Sequence, residues 1–247
     1  MTQCCIALGA NLGDPARQFE SALVALHEAG HRVLRSSQNY VTPAMGSEAG
    51  DEFHNAAAVI DTPLPPEDFL QQLHDIESRL GRRRTITWGP RSLDLDLLFY
   101  GNAVVQASNL VVPHPLLWFR RFVLGPLNEV AKDWMHPTLG ETVGELLQKL
   151  NVQPLEIEIQ GEDSTTVATV YEALRNDFAA NSFKLTSQPT DRKFAVVART
   201  GSRPLTHPTQ PNIESARILR RPADCVLESF LRDVLTAALP HDQLLTD

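Results

Sequence analysis

The segment from Trp88 to Tyr100, with the sequence WGPRSLDLDLLFY, constrains the fold and the chemistry of this chain more than any other. Gly89 and Pro90 predict a turn, and the alternating residues that follow predict a β-strand. Residues two apart on a strand share a face, so Asp94 and Asp96 would present both carboxylates on one side. The neighbouring leucines would then point into a core.

Two acids on one face of an otherwise apolar strand repel each other and lose hydration. A divalent cation would remove both penalties. No Cys or His stands beside the pair, so it favours Mg²⁺, which proteins usually hold with one or two carboxylates and substrate phosphates. The alternative for an isolated Asp-x-Asp is a strand end whose acids face water.

Basic residues precede the two aspartates. The interval from Glu77 to Asp94 contains no other acid, and its arginines are Arg79, Arg82, Arg83, Arg84 and Arg91. Guanidinium groups match phosphate oxygens bidentately. In a chain of net charge -8, this cluster favours a polyphosphate clamp over a solvated basic loop paired with acids elsewhere.

The length of 247 residues allows one large domain or two small ones. The acidic charge balance opposes non-specific binding to nucleic acid or to an anionic membrane. No apolar run approaches the length of a membrane span, and the N-terminus lacks the features of a signal peptide. The cysteines Cys4, Cys5 and Cys225 form neither a disulfide framework nor a zinc ligand set, so we expect a cytoplasmic protein.

The predicted elements of the first 150 residues follow the order strand, helix, strand, strand, helix, strand. The strands are expected at 4–8, 31–40, an interrupted 53–60, and the Asp-x-Asp segment; the helices are expected from Pro15 to Gly30 and from 63–68 to Gly81. This order is that of a ferredoxin-like α+β sandwich, with a mostly antiparallel sheet and helices on one face. A hairpin near 104–112 and helical pieces at 116–123, 126–130 and 142–150 follow.

The pattern changes at about residue 153. Strands are expected at 155–160 and 194–198, and helices at 165–178 and 223–239. We therefore expect one domain over residues 1–153 and a small α/β appendix over 154–247. The appendix carries no chemical motif, so its expected role is to pack on the core or to mediate assembly.

Three stretches of the chain together resemble one known family. They are Gly9 to Gly13 (GANLG), the Asp-x-Asp segment, and Val112 to Leu127 (VPHPLLWFRRFVLGPL). These resemble 6-hydroxymethyl-7,8-dihydropterin pyrophosphokinase of folate biosynthesis, over roughly residues 1–150. The resemblance implies a ferredoxin-like fold. It also implies transfer of the terminal pyrophosphoryl unit of ATP to the hydroxymethyl group of the pterin, with release of AMP.

The resemblance also implies roles for individual residues on the nucleotide side. Asp94 and Asp96 would bind two Mg²⁺ ions that bridge the phosphates of ATP. Arg82 and Arg91 would contact the phosphates during catalysis, with Arg82 on a loop that closes over ATP. Further nucleotide contacts are implied for Glu77, Arg84, His114 and Arg120.

The pterin side follows from the same resemblance. A flat heterocycle rich in donors and acceptors needs stacking faces and an amide. Phe53 and Phe122 correspond to the stacking aromatics, and Asn55 to the amide that binds the pterin edge. Without the resemblance, both phenylalanines would be assigned to the core. The backbone and wall of the pocket are implied for Thr42, Pro43, Ala44, Met45 and Trp88.

Three other functions compete with this interpretation. A binding or scaffold module with the same fold is disfavoured by the complete set of acids and arginines. An RNA-binding sheet is disfavoured by the charge and by the lack of an aromatic RNA-binding run. A second folate-pathway activity in residues 154–247 is disfavoured by the lack of a motif. The expected partners are ATP and the pterin, without nucleic acid or membrane; the appendix is expected to mediate self-association or contact another folate enzyme.

Overall fold

The computed structural model describes residues 1–43, 52–81, 92–152, 154–160, 162–179, 182–187, 196–199, 218–220 and 226–240. Contacts divide the chain into two compact units, Met1–Leu147 and Gln148–Asp247. Each unit has its own β-sheet. In the described residues, no helix is both long and apolar enough to cross a membrane.

The sheet of the first unit is antiparallel. Its strands are β1 (Thr2–Ala10), β2 (Arg32–Ser36), β3 (Tyr40–Pro43), β4 (Glu52–Thr62) and β5 (Asp94–Tyr100). Their order is β2-β4-β1-β5, and β3 also pairs with β4. Helix α1 (Pro15–Glu28) connects β1 to β2, and helix α2 (Pro66–Arg79) connects β4 to β5. This unit is therefore an α+β structure, as predicted.

The two helices begin and end where the sequence predicts. The Asp14 carboxylate caps α1 by accepting a hydrogen bond from the backbone N–H of Arg17 at 3.1 Å. Gly30 and Gly81 follow the two helices with φ of +90° and +91°, a conformation that glycine adopts most readily. Both helices bury apolar residues against one face of the sheet, in a core that includes Phe19, Leu26, Phe69, Leu73, Ile6, Ile60 and Leu95.

Two predictions about the strands were wrong. The single strand expected at 31–40 is two strands, because the chain leaves the sheet at Gln38. Ser37 still bonds Ala57 of β4: its N–H donates to the Ala57 carbonyl at 2.8 Å, and its hydroxyl accepts from the Ala57 N–H at 2.9 Å. The Gln38 N–H donates instead to the Glu129 carboxylate at 3.1 Å. The interruption expected at His54 and Asn55 does not occur. Both residues stay in register with β1, and neighbouring groups satisfy their polar side chains: Asn39 bonds the His54 ring, and Thr42 accepts from the Asn55 amide.

Short elements follow β5, and the last of them crosses the boundary between the two units at Leu147. They are β6 (Val105–Gln106), β7 (Val111–Val112), a 3-10 turn (Leu117–Phe119), α3 (Arg121–Ala131), β8 (Met135–His136), β9 (Glu141–Thr142) and α4 (Val143–Leu150). The predicted hairpin is confirmed as β6 and β7. The helical pieces predicted at 116–123 and 126–130 are confirmed in part, because the 3-10 turn and α3 occupy this region. The predicted break between them is wrong: α3 continues through Pro126, and Pro126, Leu127 and Val130 are all buried.

The second unit contains a parallel sheet. Its elements are β10 (Leu155–Gln160), α5 (Ser164–Leu174), β11 (Phe183–Thr186), β12 (Val196–Arg199), β13 (Ile218–Arg220) and α6 (Leu227–Ala238). The strand order is β11-β10-β12-β13. Arg232 of α6 binds Asp177, after α5, and Glu228, so an ion-pair cluster joins the two helices of this unit. The strands β11 and β13 were not predicted, because four and three residues are too few for a clear pattern.

The first unit should lose stability in mild acid because of its buried histidines. His136 is 3% exposed, and its Nδ1 accepts from the Leu139 N–H at 3.3 Å. Burial lowers the pKa of His136 to about 4, although the Glu141 charge opposes the shift. Burial also lowers the pKa of His31. The unfolded chain therefore binds more protons below pH 6.5, and the free energy of unfolding falls as the pH decreases toward 4.

For His136 alone, we expect the free energy of unfolding to fall by about 2 kcal/mol between pH 7 and pH 5. The measurement is urea unfolding followed by tryptophan fluorescence, since Trp88, Trp118 and Trp134 all lie in the first unit. His136→Asn keeps an acceptor near Nδ1 but does not titrate, so its stability should fall less over this range. Equal losses for wild type and this variant would contradict the assignment.

Candidate active site

Strand β5 displays the two aspartates as predicted. Asp94 and Asp96 are partly exposed, whereas Leu93, Leu95 and Leu97 are buried. Asp94 pairs in register with Gly9 of β1, and Asp96 pairs with Ala7. The carboxylates therefore lie on the sheet face opposite the core that α1 and α2 cover.

Gly9 of β1 lies between the predicted pterin-side residues of β4 and the two aspartates of β5. It pairs with Asn55 of β4 on one side and with Asp94 of β5 on the other. A Cβ atom on Gly9 would lie 2.8 Å from Cε1 of Phe53 and 3.7 Å from Cβ of Asp94. The missing side chain thus leaves room for the Phe53 ring to lie across the central strand, close to the first aspartate.

The Asn55 side chain is held by its own neighbours. This residue is 5% exposed, and its Nδ2 donates to Thr42 Oγ1 at 3.0 Å and to the Phe53 carbonyl at 3.3 Å. These bonds assign the amide orientation from the hydrogen-bond network. With its N–H groups directed to these two residues, the amide offers its oxygen as an acceptor for a ligand N–H.

His114 joins the loop after β7 to β5, the strand that carries Asp94 and Asp96. Its backbone N–H donates to the Leu98 carbonyl of β5 at 2.9 Å. Burial lowers the pKa of His114 to about 3; the Arg120 charge acts in the same direction, and the Asp94 charge opposes it. The imidazole is therefore neutral near pH 7. Its Nδ1 accepts from the Leu116 N–H at 3.2 Å, so Nε2 carries the hydrogen and can donate to a ligand oxygen.

Arg120 and Phe122 lie together at the start of α3. The Arg120 guanidinium carbon is 5.6 Å from the centroid of the Phe122 ring, within the range of a cation–π interaction. Helix α3 contacts both β4 and β1. The predicted nucleotide-side arginine and the predicted stacking aromatic are thus neighbours in the structure.

Glu77 of α2 is buried next to β5. Its side chain is on the apolar face of α2, and its Oε1 accepts a hydrogen bond from the backbone N–H of Leu95 at 2.6 Å. The resemblance implies a nucleotide contact for this residue. In the structure this carboxylate bonds the backbone of Leu95, the residue that lies between Asp94 and Asp96.

Several predicted site residues lie outside the described part of the chain. They are Ala44, Met45, Arg82, Arg84, Trp88 and Arg91. Pro43 is placed only through its backbone, which pairs in register with Glu52. Of the sixteen predicted site residues, the structure therefore brings together those on β3, β4, β5, α2 and the segment from His114 to Phe122.

The described residues offer Mg²⁺ two carboxylates rather than a closed cage. Among them, no group of three or more His, Cys, Asp or Glu side chains gathers to hold a metal ion. A pair of carboxylates on an accessible strand face fits an ion whose remaining ligands are waters and substrate phosphates. Asp94 and Asp96 therefore suit Mg²⁺ bound together with a nucleotide.

Sequence reasoning missed two contributors to the site. The predicted first strand ends at residue 8, so it excludes Gly9, although a glycine within a strand is a known sign of close approach by another group. Glu129 of α3 was not singled out. Its carboxylate accepts from Gln38 N–H and, at 3.1 Å, from the Tyr40 hydroxyl, so it anchors the start of β3, which carries Thr42.

Comparisons with known proteins identify the family of the chain. The model of the 7,8-dihydro-6-hydroxymethylpterin-pyrophosphokinase (HPPK) family matches residues 5–132. The 2-amino-4-hydroxy-6-hydroxymethyldihydropteridine pyrophosphokinase of Methylorubrum extorquens is 43% identical over 157 residues, 63% of this chain and 98% of the relative. The bifunctional protein FolKE of Lactococcus lactis is 31% identical over 172 residues, 69% of this chain and 48% of the relative.

Similar chains are also found among solved structures. An HPPK-DHPS structure in complex with substrates matches 70% of this chain and 45% of its own, with a TM-score of 0.47 and 13% identity. The chain belongs to the 7,8-dihydro-6-hydroxymethylpterin-pyrophosphokinase family. It is an enzyme of folate biosynthesis that transfers pyrophosphate to hydroxymethyldihydropterin, with ATP as the co-substrate.

Proposed function

We propose that residues 1–153 form the pyrophosphokinase domain and that its catalytic site lies on the sheet face around Gly9. The observation that carries this proposal is the register of β4, β1 and β5. It sets Asn55 on one side of Gly9 and Asp94 on the other, with the Phe53 ring across the gap. A pterin-binding edge and a metal-binding edge thus meet where the hydroxymethyl group and the nucleotide must react.

We also infer a ferredoxin-like arrangement for this domain. Each helix joins two strands that have a third strand between them: α1 joins β2 to β1 around β4, and α2 joins β4 to β5 around β1. This interleaving supports the split βαβ pattern of that fold.

Asp94 and Asp96 are proposed to hold two Mg²⁺ ions against the phosphates of ATP. Bound there, the ions would neutralise the phosphate charge and orient the β-phosphorus for in-line attack. His114 would donate from Nε2 to a nucleotide oxygen, and Arg120 would add a fixed positive charge nearby. Further contacts to ATP are proposed for Arg82, Arg84 and Arg91, with closure of the Arg82 loop excluding water.

The pterin would stack between Phe53 and Phe122 and donate an N–H to the Asn55 amide oxygen. Thr42, Pro43, Ala44, Met45 and Trp88 are proposed to line the pocket. The hydroxymethyl oxygen would then form a bond to the β-phosphorus, and its proton would pass to solvent. The bond from the β-phosphorus to the oxygen that bridges it to the α-phosphorus breaks, and AMP leaves with the electron pair. The rate enhancement would come from positioning and charge stabilisation.

The test of this function is the release of AMP from Mg²⁺-ATP, measured by chromatography with and without 6-hydroxymethyl-7,8-dihydropterin. AMP formation that depends on the pterin is expected. Release of ADP, or no nucleotide turnover at saturating pterin, would overturn the proposal.

Residues 154–247 are proposed to mediate self-association or contact with another folate enzyme. The Lactococcus lactis relative FolKE is a bifunctional protein, which supports contact between this chain and another folate enzyme. Measuring the mass of the full chain by sedimentation distinguishes the two cases, since self-association requires a species heavier than 27.4 kDa. The buried thiols of Cys4 and Cys5 support a reducing location, which we propose to be the cytoplasm.

A further inference from the structure

Glu77 is a buried carboxylate within an apolar helix face. It is 1% exposed and shares the buried side of α2 with Phe69, Leu73 and Ile76. Removing a carboxylate from water is unfavourable unless hydrogen bonds replace its hydration. A residue of this type in this position therefore needs a partner that justifies its burial.

That partner is the backbone of β5. The Glu77 Oε1 accepts from Leu95 N–H at 2.6 Å, the short distance of a charge-assisted hydrogen bond. In the described sheet β5 is the end strand and pairs only with β1, so the N–H groups on its other edge need acceptors outside the sheet. Glu77 supplies such an acceptor to the N–H of Leu95, the residue between Asp94 and Asp96.

We propose that Glu77 is a positioning residue for the metal-binding strand. By fixing the Leu95 peptide, its carboxylate sets the directions of the two aspartate side chains that flank it. Mg²⁺ demands near-ideal octahedral geometry, so a rotation of this peptide would weaken its binding. The inference rests on the proposed function of Asp94 and Asp96. It differs from the nucleotide contact that the family resemblance implies for Glu77.

The experiment compares three variants of the full chain. Glu77→Met removes the acceptor and keeps the volume, and Glu77→Gln keeps an acceptor oxygen without the charge. Leu73→Ala, one turn earlier on the same buried face, is the control for destabilised packing. The readouts are the Mg²⁺ concentration for half-maximal AMP release at saturating ATP, and the Mg²⁺ dependence of α,β-methylene-ATP binding.

We expect Glu77→Met to raise the half-maximal Mg²⁺ concentration at least tenfold in both assays. Glu77→Gln should stay within threefold of wild type, because it can still accept from Leu95 N–H. Leu73→Ala should lower the melting temperature without moving the Mg²⁺ dependence. If Glu77→Met does not fold, Glu77→Asp gives the same information, since it keeps the charge and withdraws the carboxylate by one methylene.

Two results would overturn the proposal. One is a wild-type Mg²⁺ dependence in Glu77→Met or, if that variant does not fold, in Glu77→Asp. The other is an equal loss of α,β-methylene-ATP affinity in Glu77→Gln and Glu77→Met at saturating Mg²⁺, which would make Glu77 a direct nucleotide ligand. The binding assay needs no turnover. A wild-type chain that binds the analogue with Mg²⁺ but releases no AMP would refute the proposed function and leave the test of Glu77 intact.

Discussion

Asp94→Asn and Asp96→Asn should each reduce pterin-dependent AMP release by about a thousandfold or more, equivalent to about 4 kcal/mol of lost transition-state stabilisation. Each substitution keeps the shape of the side chain and removes a charge that holds Mg²⁺. The measurement is the rate of AMP formation at saturating ATP and pterin over a range of Mg²⁺ concentrations.

These two variants should not unfold the protein. Because the aspartates lie two apart on one strand face, replacing either one relieves repulsion, and the melting temperature without Mg²⁺ should stay the same or rise. Asp75→Asn is the matched control, since this acid of α2 is exposed and accepts a hydrogen bond from the Gln71 side chain at 2.8 Å. A wild-type rate in either Asp94→Asn or Asp96→Asn would refute the metal assignment.

Gly9→Ala should raise the KM for the pterin roughly 10- to 100-fold, because overpacking of this kind costs about 1–3 kcal/mol. The new methyl group would lie 2.8 Å from the Phe53 ring and force it away from its place across β1. Binding of Mg²⁺-ATP alone should change less than threefold. Steady-state kinetics with pterin varied at saturating Mg²⁺-ATP measures the effect.

A double-mutant cycle tests whether Gly9 acts through Phe53. In a Phe53→Ala background the added methyl group has no ring to displace, so Gly9→Ala should have little further effect on pterin KM. Gly125→Ala is the control, because its Cβ would lie at an ordinary 3.7 Å from the Tyr40 ring. Additive effects of the two substitutions would show that Gly9 acts on the pterin by another route.

The elements that the sequence predicted well are those whose signals are local. Asp14 and Pro15 mark the start of α1, and the alternation at Asp94 and Asp96 marks the exposed face of β5; both depend on neighbouring residues alone. The split between β2 and β3 depends on Glu129, which is 91 residues from Gln38 in the chain. No window of sequence contains both partners, so the periodicity of 31–40 predicted one strand.

The residues of the candidate site also differ in whether local sequence or distant contacts determine them. Residue types and their spacing indicated the acids, and the family resemblance added His114, Arg120 and the aromatics. The space above Gly9 and the bond from Glu77 to Leu95 depend on strand register and helix packing. The sequence pattern alone could not tell whether the Glu77 carboxylate bonds a backbone N–H or contacts a nucleotide, since both roles place an acid on the same helix.

The two sheets also differ in when they can form during translation. All strands of the antiparallel sheet come from the segment that ends at Tyr100, whereas the parallel sheet needs Ile218–Arg220 before its last strand can pair. At about 5–20 residues per second, a ribosome needs several seconds or more to cover that interval. The described strands that carry Asn55, Asp94 and Asp96 are therefore synthesised before those of the parallel sheet. A nascent chain interrupted after Leu150 would contain the complete enzyme sheet and no part of the appendix sheet.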